Sequence, residues 1–243
     1  MRSLLILTDF SEPSFRAAEY GCALSDTLQA GRIVLYHAYQ TAAATTDLPV
    51  SAVRTNSKVH VQAVQALGAL RDRLESIPKH PLTIDLLAED TFLPDRINEC
   101  CREQAIDLIV MGVSGKSGAH LLGGTAARML TTSRWPVIVV PAQTPPGSPV
   151  TKIVLASDLH NMPGRSGERL SALLDSFHAP VEVIHVGGDN IVQGILDSAG
   201  RLGASLVVAV PRRHGLLASM FHRGVTEKLA YNSPTPLLFF PEE

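Results

Sequence analysis

Short apolar runs alternate with longer segments of helical period along most of this chain. The runs are Leu4–Leu7, Ile33–Tyr36, Leu82–Leu87, Leu108–Met111 and Val137–Val140. Helices are predicted between them at about 12–29, 58–77, 92–104 and 122–133. A strand that is apolar at every position has no solvated face. Strands of that kind, separated by amphipathic helices, imply an α/β fold with an open parallel sheet covered on both sides. Ser11 before Glu12-Pro13 marks the first helix start, an N-cap with proline in the first turn. The segment 41–57, TAAATTDLPVSAVRTNS, is small, polar and weakly periodic, and reads as a loop.

The pattern pauses at AQTPPGSPVT, residues 142–151, and then restarts. Ile153-Val-Leu-Ala-Ser-Asp158 echoes Leu4-Leu-Ile-Leu-Thr-Asp9, and Val183-Ile-His185-Val echoes Leu35-Tyr-His37-Ala. Ala204–Val210 echoes Ile106–Gly112, and Thr235–Pro241 echoes Trp135–Pro141. Four matches in one order make an internal repeat. The expected organisation is a domain over 1–142, a linker over 143–151, and a shortened second domain over 152–243. The shortfall lies between His185 and Asp189, where the first half has its long loop, second helix and third strand. About four strands are expected in the second half.

Composition narrows the function. The chain is 45% hydrophobic and 18% charged, with a net charge of −2. It has enough apolar matter for a packed core and no basic stripe of the kind that displaces counterions from nucleic acid. No apolar run is long enough to span a membrane, and the apolar stretch near the N-terminus meets Asp9 and Glu12 too soon for a signal peptide. Cys22, Cys100 and Cys101 make no CxxC or zinc spacing, which points to buried, reduced thiols and a cytoplasmic location. His37 and His185 sit at matching strand ends without a second ligand at useful spacing, so packing or hydrogen bonding is expected of both.

Ligands of open parallel sheets bind beyond the carboxyl ends of the strands. Two features meet there in the first half. One is Thr8-Asp9 after the first strand. The other is Gly112-Val-Ser-Gly115-Lys116-Ser-Gly-Ala-His-Leu-Leu-Gly-Gly124-Thr125 between the fourth strand and the fourth helix. Glycines let a backbone approach a ligand, and free N–H groups at a helix start favour phosphate. Lys116 could add charge and Thr125 a hydroxyl. Asp9 suits ribose or base better than phosphate.

These motifs resemble the universal stress protein family. Its nucleotide-binding members carry G-x2-G-x9-G-(S/T) after strand four and an aspartate after strand one; TDFSEPS and MGVSGKSG are both similar to that pattern. The resemblance implies two tandem domains of that type, with strand order 3-2-1-4-5 in the first. It implies ATP, with or without Mg²⁺, at Thr8, Asp9, Ala38, Met111, Gly112, Gly115, Gly124, Thr125 and Ala126, to which the charge of Lys116 adds a further candidate. Eight residues, not nine, separate Gly115 from Gly124. The deletion either shifts the phosphate nest or is absorbed by Gly118 and Gly123. Family members pair through their last strands, so Val137–Val140 is expected against Pro236–Phe240 inside the chain as a pseudo-dimer. Two chains could associate further.

In the second half Val210 and Arg213 replace Gly112 and Gly115, and nucleotide binding is not expected there. Asp158 reads as a strand-end cap, and Arg212, Arg213, His214, His222 and Arg223 as a solvated basic loop. Walker G-x4-G-K-(S/T), the G-x-G-x-x-G fingerprint and the G-x-S-x-G elbow are all absent. The expected role is stress-response signalling with ATP as a conformational ligand, not catalysis, though slow hydrolysis remains open. The alternatives are a nucleotide-free scaffold for an unknown protein partner, or a small-molecule or lipid-binding module under loop 41–57.

Overall fold

The computed structural model describes residues 2–41, 50–113, 123–156, 164–186, 190–210 and 223–241. The first half runs β1 (Arg2–Leu7), α1 (Glu12–Leu28), β2 (Ala30–Tyr39), α2 (Val50–Leu74), β3 (Thr83–Asp90), α3 (Leu93–Glu103), β4 (Leu108–Val113), α4 (Gly123–Thr132) and β5 (Val137–Pro141). The second runs β6 (Ile153–Ala156), α5 (Arg165–Asp175), β7 (Val181–Ile184), α6 (Ile191–Leu202), β8 (Leu206–Ala209), α7 (Arg223–Asn232) and β9 (Leu237–Phe239).

All nine strands of the described residues form one sheet, in the order β3-β2-β1-β4-β5-β9-β8-β6-β7. The first five therefore take the expected order 3-2-1-4-5. Every pairing is parallel except β5 with β9, which run antiparallel with Val137 opposite Phe239 and Val139 opposite Leu237. The order β7-β6-β8-β9 runs as β2-β1-β4-β5 does.

Strands β1, β4 and β5 are buried on both faces over their apolar runs, whereas β3, which carries Thr83 and Asp85, is only partly buried. Leu4 and Ile6 of β1 join Ala17, Ala18 and Tyr20 of α1 on one side of the sheet. Leu5 and Leu7 join Ile97, Cys100 and Cys101 of α3 and Met129 of α4 on the other. Helix α1 lies very close to the sheet, because a Cβ at Gly21 would come within 2.8 Å of the Ile6 Cδ1.

One expectation is corrected. Loop 41–57 is a helix from Val50 onward, continuous with the rest of α2. From Val50 to Leu74 the chain contains no proline and a single glycine, Gly68, so nothing stops the helix from extending back to the residue after Pro49. Weak periodicity in an Ala/Ser/Thr-rich stretch hid it.

The far edge of the sheet shows what the shorter second half leaves out. Val181 and Val183 of β7 are 41% and 39% exposed, whereas the equivalent Ile33 and Leu35 of β2 are fully buried. In the first half β3 and α2 supply that cover.

Candidate functional site

The β1–α1 turn is built by short-range hydrogen bonds. The Asp9 Oδ1 accepts from the Ser11 N–H (3.0 Å) and from the Ser11 hydroxyl (2.5 Å). Ser11 is the α1 N-cap, as its sequence position implied, and accepts from the Ser14 N–H. Thr8 accepts from the Phe10 N–H through Oγ1 (3.0 Å) and shares a 3.1 Å hydrogen bond with the Ser14 hydroxyl. Phe10 takes a positive φ of 63°, which a turn this tight imposes. The other Asp9 oxygen, Oδ2, is buried and has no hydrogen-bond partner among the described residues.

Beyond the carboxyl ends of β1, β2 and β4 lies a cavity of about 420 Å³. Of the residues singled out in the sequence, Thr8, Asp9, Ala38, Met111 and Gly112 line it together. Gly124, Thr125 and Ala126 fall in the first turn of α4. Gly115 and Lys116 lie outside the described residues, as do Asp158, Arg212, Arg213, His214 and His222.

Gly112 has a different reason from the one its motif suggests. A Cβ there would sit 2.2 Å from the Pro13 carbonyl oxygen and 2.9 Å from the Ser14 nitrogen. The glycine is required by the packing of β4 against the start of α1, before any ligand is considered.

The cavity also has walls that sequence reasoning missed: Tyr36, His37, Tyr39, Gln40, Thr91, Phe92 and Leu93. The Nδ1 of His37 meets the Thr8 carbonyl at 2.8 Å. A carbonyl only accepts, so this nitrogen carries the proton. The His37 ring lies tilted 4.4 Å from Phe10 and stacks 6.1 Å from Tyr39, and the Tyr39 hydroxyl reaches the Nδ1 of His60 on α2 at 2.9 Å. Of the packing or hydrogen bonding expected of His37, the structure gives both.

A charged cluster fixes the β3 side of the cavity. Glu89 at the end of β3 accepts from the Tyr36 hydroxyl (2.8 Å) and from Arg96 of α3 (3.0 and 3.1 Å). Arg96 also reaches Glu103 (2.5 Å) and Glu99 (2.9 Å). Burial, then the Glu89 hydrogen bond, raises the Tyr36 phenol above its ordinary value. Among the described residues no three His, Cys, Asp or Glu side chains gather as a metal would need. No helix among them is long and apolar enough to cross a membrane.

An α/β protein with a cavity at the strand ends, an aspartate after β1 and glycines after β4 is a class of binding fold with known relatives. The chain belongs to the universal stress protein family, whose model matches residues 1–141. It is similar in structure to a universal stress protein from Archaeoglobus fulgidus DSM 4304, at 17% identity and a TM-score of 0.65, over 99% of this chain and 98% of that one. A protein described as a putative universal stress protein, from Pseudomonas aeruginosa UCBPP-PA14, is similar at 14% identity and TM-score 0.61, over 99% and 93% of the two chains. A protein of unknown function from Pseudomonas aeruginosa PAO1 is similar at 14% identity and TM-score 0.58, over 100% and 93%. At such identities the likeness establishes the fold alone. No curated protein matches the chain in sequence.

Proposed function

We propose that the first half binds an adenine nucleotide, ATP, in the cavity beside Asp9, and that the nucleotide acts as a conformational ligand in stress-response signalling. The observation that carries this reading is the buried Asp9 Oδ2, without a partner among the described residues, on a 420 Å³ cavity at the strand ends. A buried carboxylate oxygen without a donor is unfavourable, and a ligand hydroxyl or amino group would satisfy it. The volume lies in the range of small-molecule pockets. Thr8, Ala38, Met111 and Gly112 would surround the nucleoside. Gly115, Lys116, Gly124, Thr125 and Ala126 would hold the phosphates near the start of α4, where helix N–H groups favour anions. Mg²⁺ would neutralise phosphate charge, and slow hydrolysis would need it.

The same proposal covers the organisation of the chain. Domains over 1–142 and 152–243, joined by 143–151, would form a pseudo-dimer through β5 and β9, with a cytoplasmic protein partner reading the nucleotide state. Pairing β5 with β9 hides two apolar strand edges from other chains.

A nucleotide-free scaffold is the second reading. The steric demand of Pro13 on Gly112 favours it, since that glycine is needed whether or not a ligand binds.

Thermal unfolding with and without Mg-ATP separates the two. A ligand at 100 times its Kd adds about 2.7 kcal/mol. A raised Tm that Gly124→Val abolishes supports the nucleotide; an unchanged Tm at millimolar Mg-ATP leaves the scaffold.

A further inference from the structure

We infer that Phe92 is the stacking platform for a flat heteroaromatic ring, so that the ring of the ligand, and not its phosphates alone, decides what this cavity accepts. The inference rests on the nucleotide reading above and adds a residue to it that lies outside the glycine loop and the Thr8-Asp9 turn.

Phe92 is 37% exposed, and of the large hydrophobic side chains left exposed among the described residues it alone borders the cavity. An aromatic ring held open on a cavity wall offers area to a ligand that packing has not used.

The position is also wrong for phenylalanine on local grounds. Phe92 is the N-cap of α3 and makes no side-chain capping bond. Ser, Thr, Asn and Asp are the residues that cap, and the chain uses Ser11 for α1 and Asn190 for α6. Phenylalanine here forgoes the capping bond and keeps a ring that is 37% exposed, and positions that break a local rule in this way are often functional.

The backbone that carries the ring is held in place before any ligand arrives. Strands β2 and β3 stay in register to Tyr39 opposite Asp90, and the Thr91 N–H then donates to the Tyr39 carbonyl at 2.9 Å. The Phe92 carbonyl accepts from the Asp95 and Arg96 N–H groups at 3.1 and 3.4 Å. The Arg128 guanidinium lies 5.3 Å from the ring centroid and is itself held by Asp95 at 2.9 Å. The cation thus lies over part of a ring that also lines the cavity. That cavity has the unpartnered Asp9 oxygen on another wall. A nucleoside has both complements, a hydroxyl for the carboxylate and a planar base for the ring.

Calorimetric titration of the full chain with adenosine, Mg-ATP and inorganic triphosphate tests this. Phe92→Leu keeps apolar bulk and removes the plane; it should weaken adenosine and ATP about tenfold or more and leave triphosphate unchanged. Phe92→Trp should retain affinity, and its fluorescence should be quenched when adenosine binds. If the wild-type protein binds ATP and Phe92→Leu binds it equally, the stacking role falls and the nucleotide reading stands. If the wild-type protein binds neither adenosine nor ATP, both fall.

Discussion

Gly112 faces the Pro13 carbonyl so closely that a Cβ on it would lie 2.2 Å from the oxygen. The obstacle is backbone, which cannot swing aside as a side chain can. Gly112→Ala should therefore force β4 and the start of α1 apart and destabilise the protein by about 2 kcal/mol or more. Urea unfolding measures it. A loss within about 0.5 kcal/mol would mean that the turn from Thr8 to Ser14 yields freely, and the packing account of this glycine would be wrong.

His80 sits between the Asp26 carboxylate (2.7 Å from Nδ1) and the Ala30 carbonyl (2.6 Å from Nε2). Both partners only accept, so both ring nitrogens carry protons and the imidazole is charged. The Asp26 hydrogen bond, then the Ala30 carbonyl, raises the His80 value, against the opposing effect of burial. Burial alone would raise Asp26, yet hydrogen bonds from His80 and Lys79 outweigh it and hold the carboxyl low. A raised histidine contributes stability that is present in full below its unfolded value near 6.5 and is lost as pH rises through the folded one. Asp26, held low, loses its contribution at the acid end. His80→Ala should thus destabilise the protein by about 1–2 kcal/mol near pH 6. The gap to wild type should narrow toward pH 9, and a gap independent of pH would contradict the charged pair.

The three thiols should be nearly inert in the folded protein. Burial, with the nearby Asp26 and Glu19 charges, pushes Cys22 up to about 12, and burial pushes Cys100 up to about 11. Cys101 rises by burial as well. Thiolate is the reactive form, and all three side chains are buried. Reaction with a chromogenic disulfide at pH 8 should release three equivalents in urea and far less than one, over minutes, without it. Rapid reaction of a native thiol would show that α1 or α3 opens readily.

Asp9→Asn separates the two oxygens of one carboxylate. The amide keeps an acceptor for Ser11 and puts a donor where Oδ2 now stands unpaired. Folding should be spared, with Tm moving by only a few degrees. Affinity for Mg-ATP should drop at least tenfold, because two donors would then face each other. Undiminished affinity would remove Asp9 from the ligand site.

Much of the fold was legible because a doubly covered parallel strand has no polar positions. Leu4–Leu7, Leu108–Met111 and Val137–Val140 could hardly be anything else, and the strand ends carried Thr8, Asp9, Met111 and Gly112 to one place. The first turns of α2 were not legible, since Ala, Ser and Thr signal neither state strongly. Nor was the wall made by His37, Tyr39 and Phe92. Its position follows from the register of β2 against β3, which brings residues about fifty positions apart to one rim. A bare aromatic at a helix N-cap was the signal available for Phe92, and it is visible only once the helix start is placed.

The amino-acid pattern by itself determined the alternation of covered strands with helices and the aspartate at the end of β1, because local periodicity and strand-end chemistry belong to short stretches of chain; the strand order of the first half came only with the family resemblance. Tertiary structure alone decided why residue 112 is glycine, which oxygen of Asp9 lacks a donor, and that Val183 is bare where Leu35 is covered. Those properties depend on what comes from elsewhere in the chain to lie beside a residue, and distance along a sequence does not record distance in space.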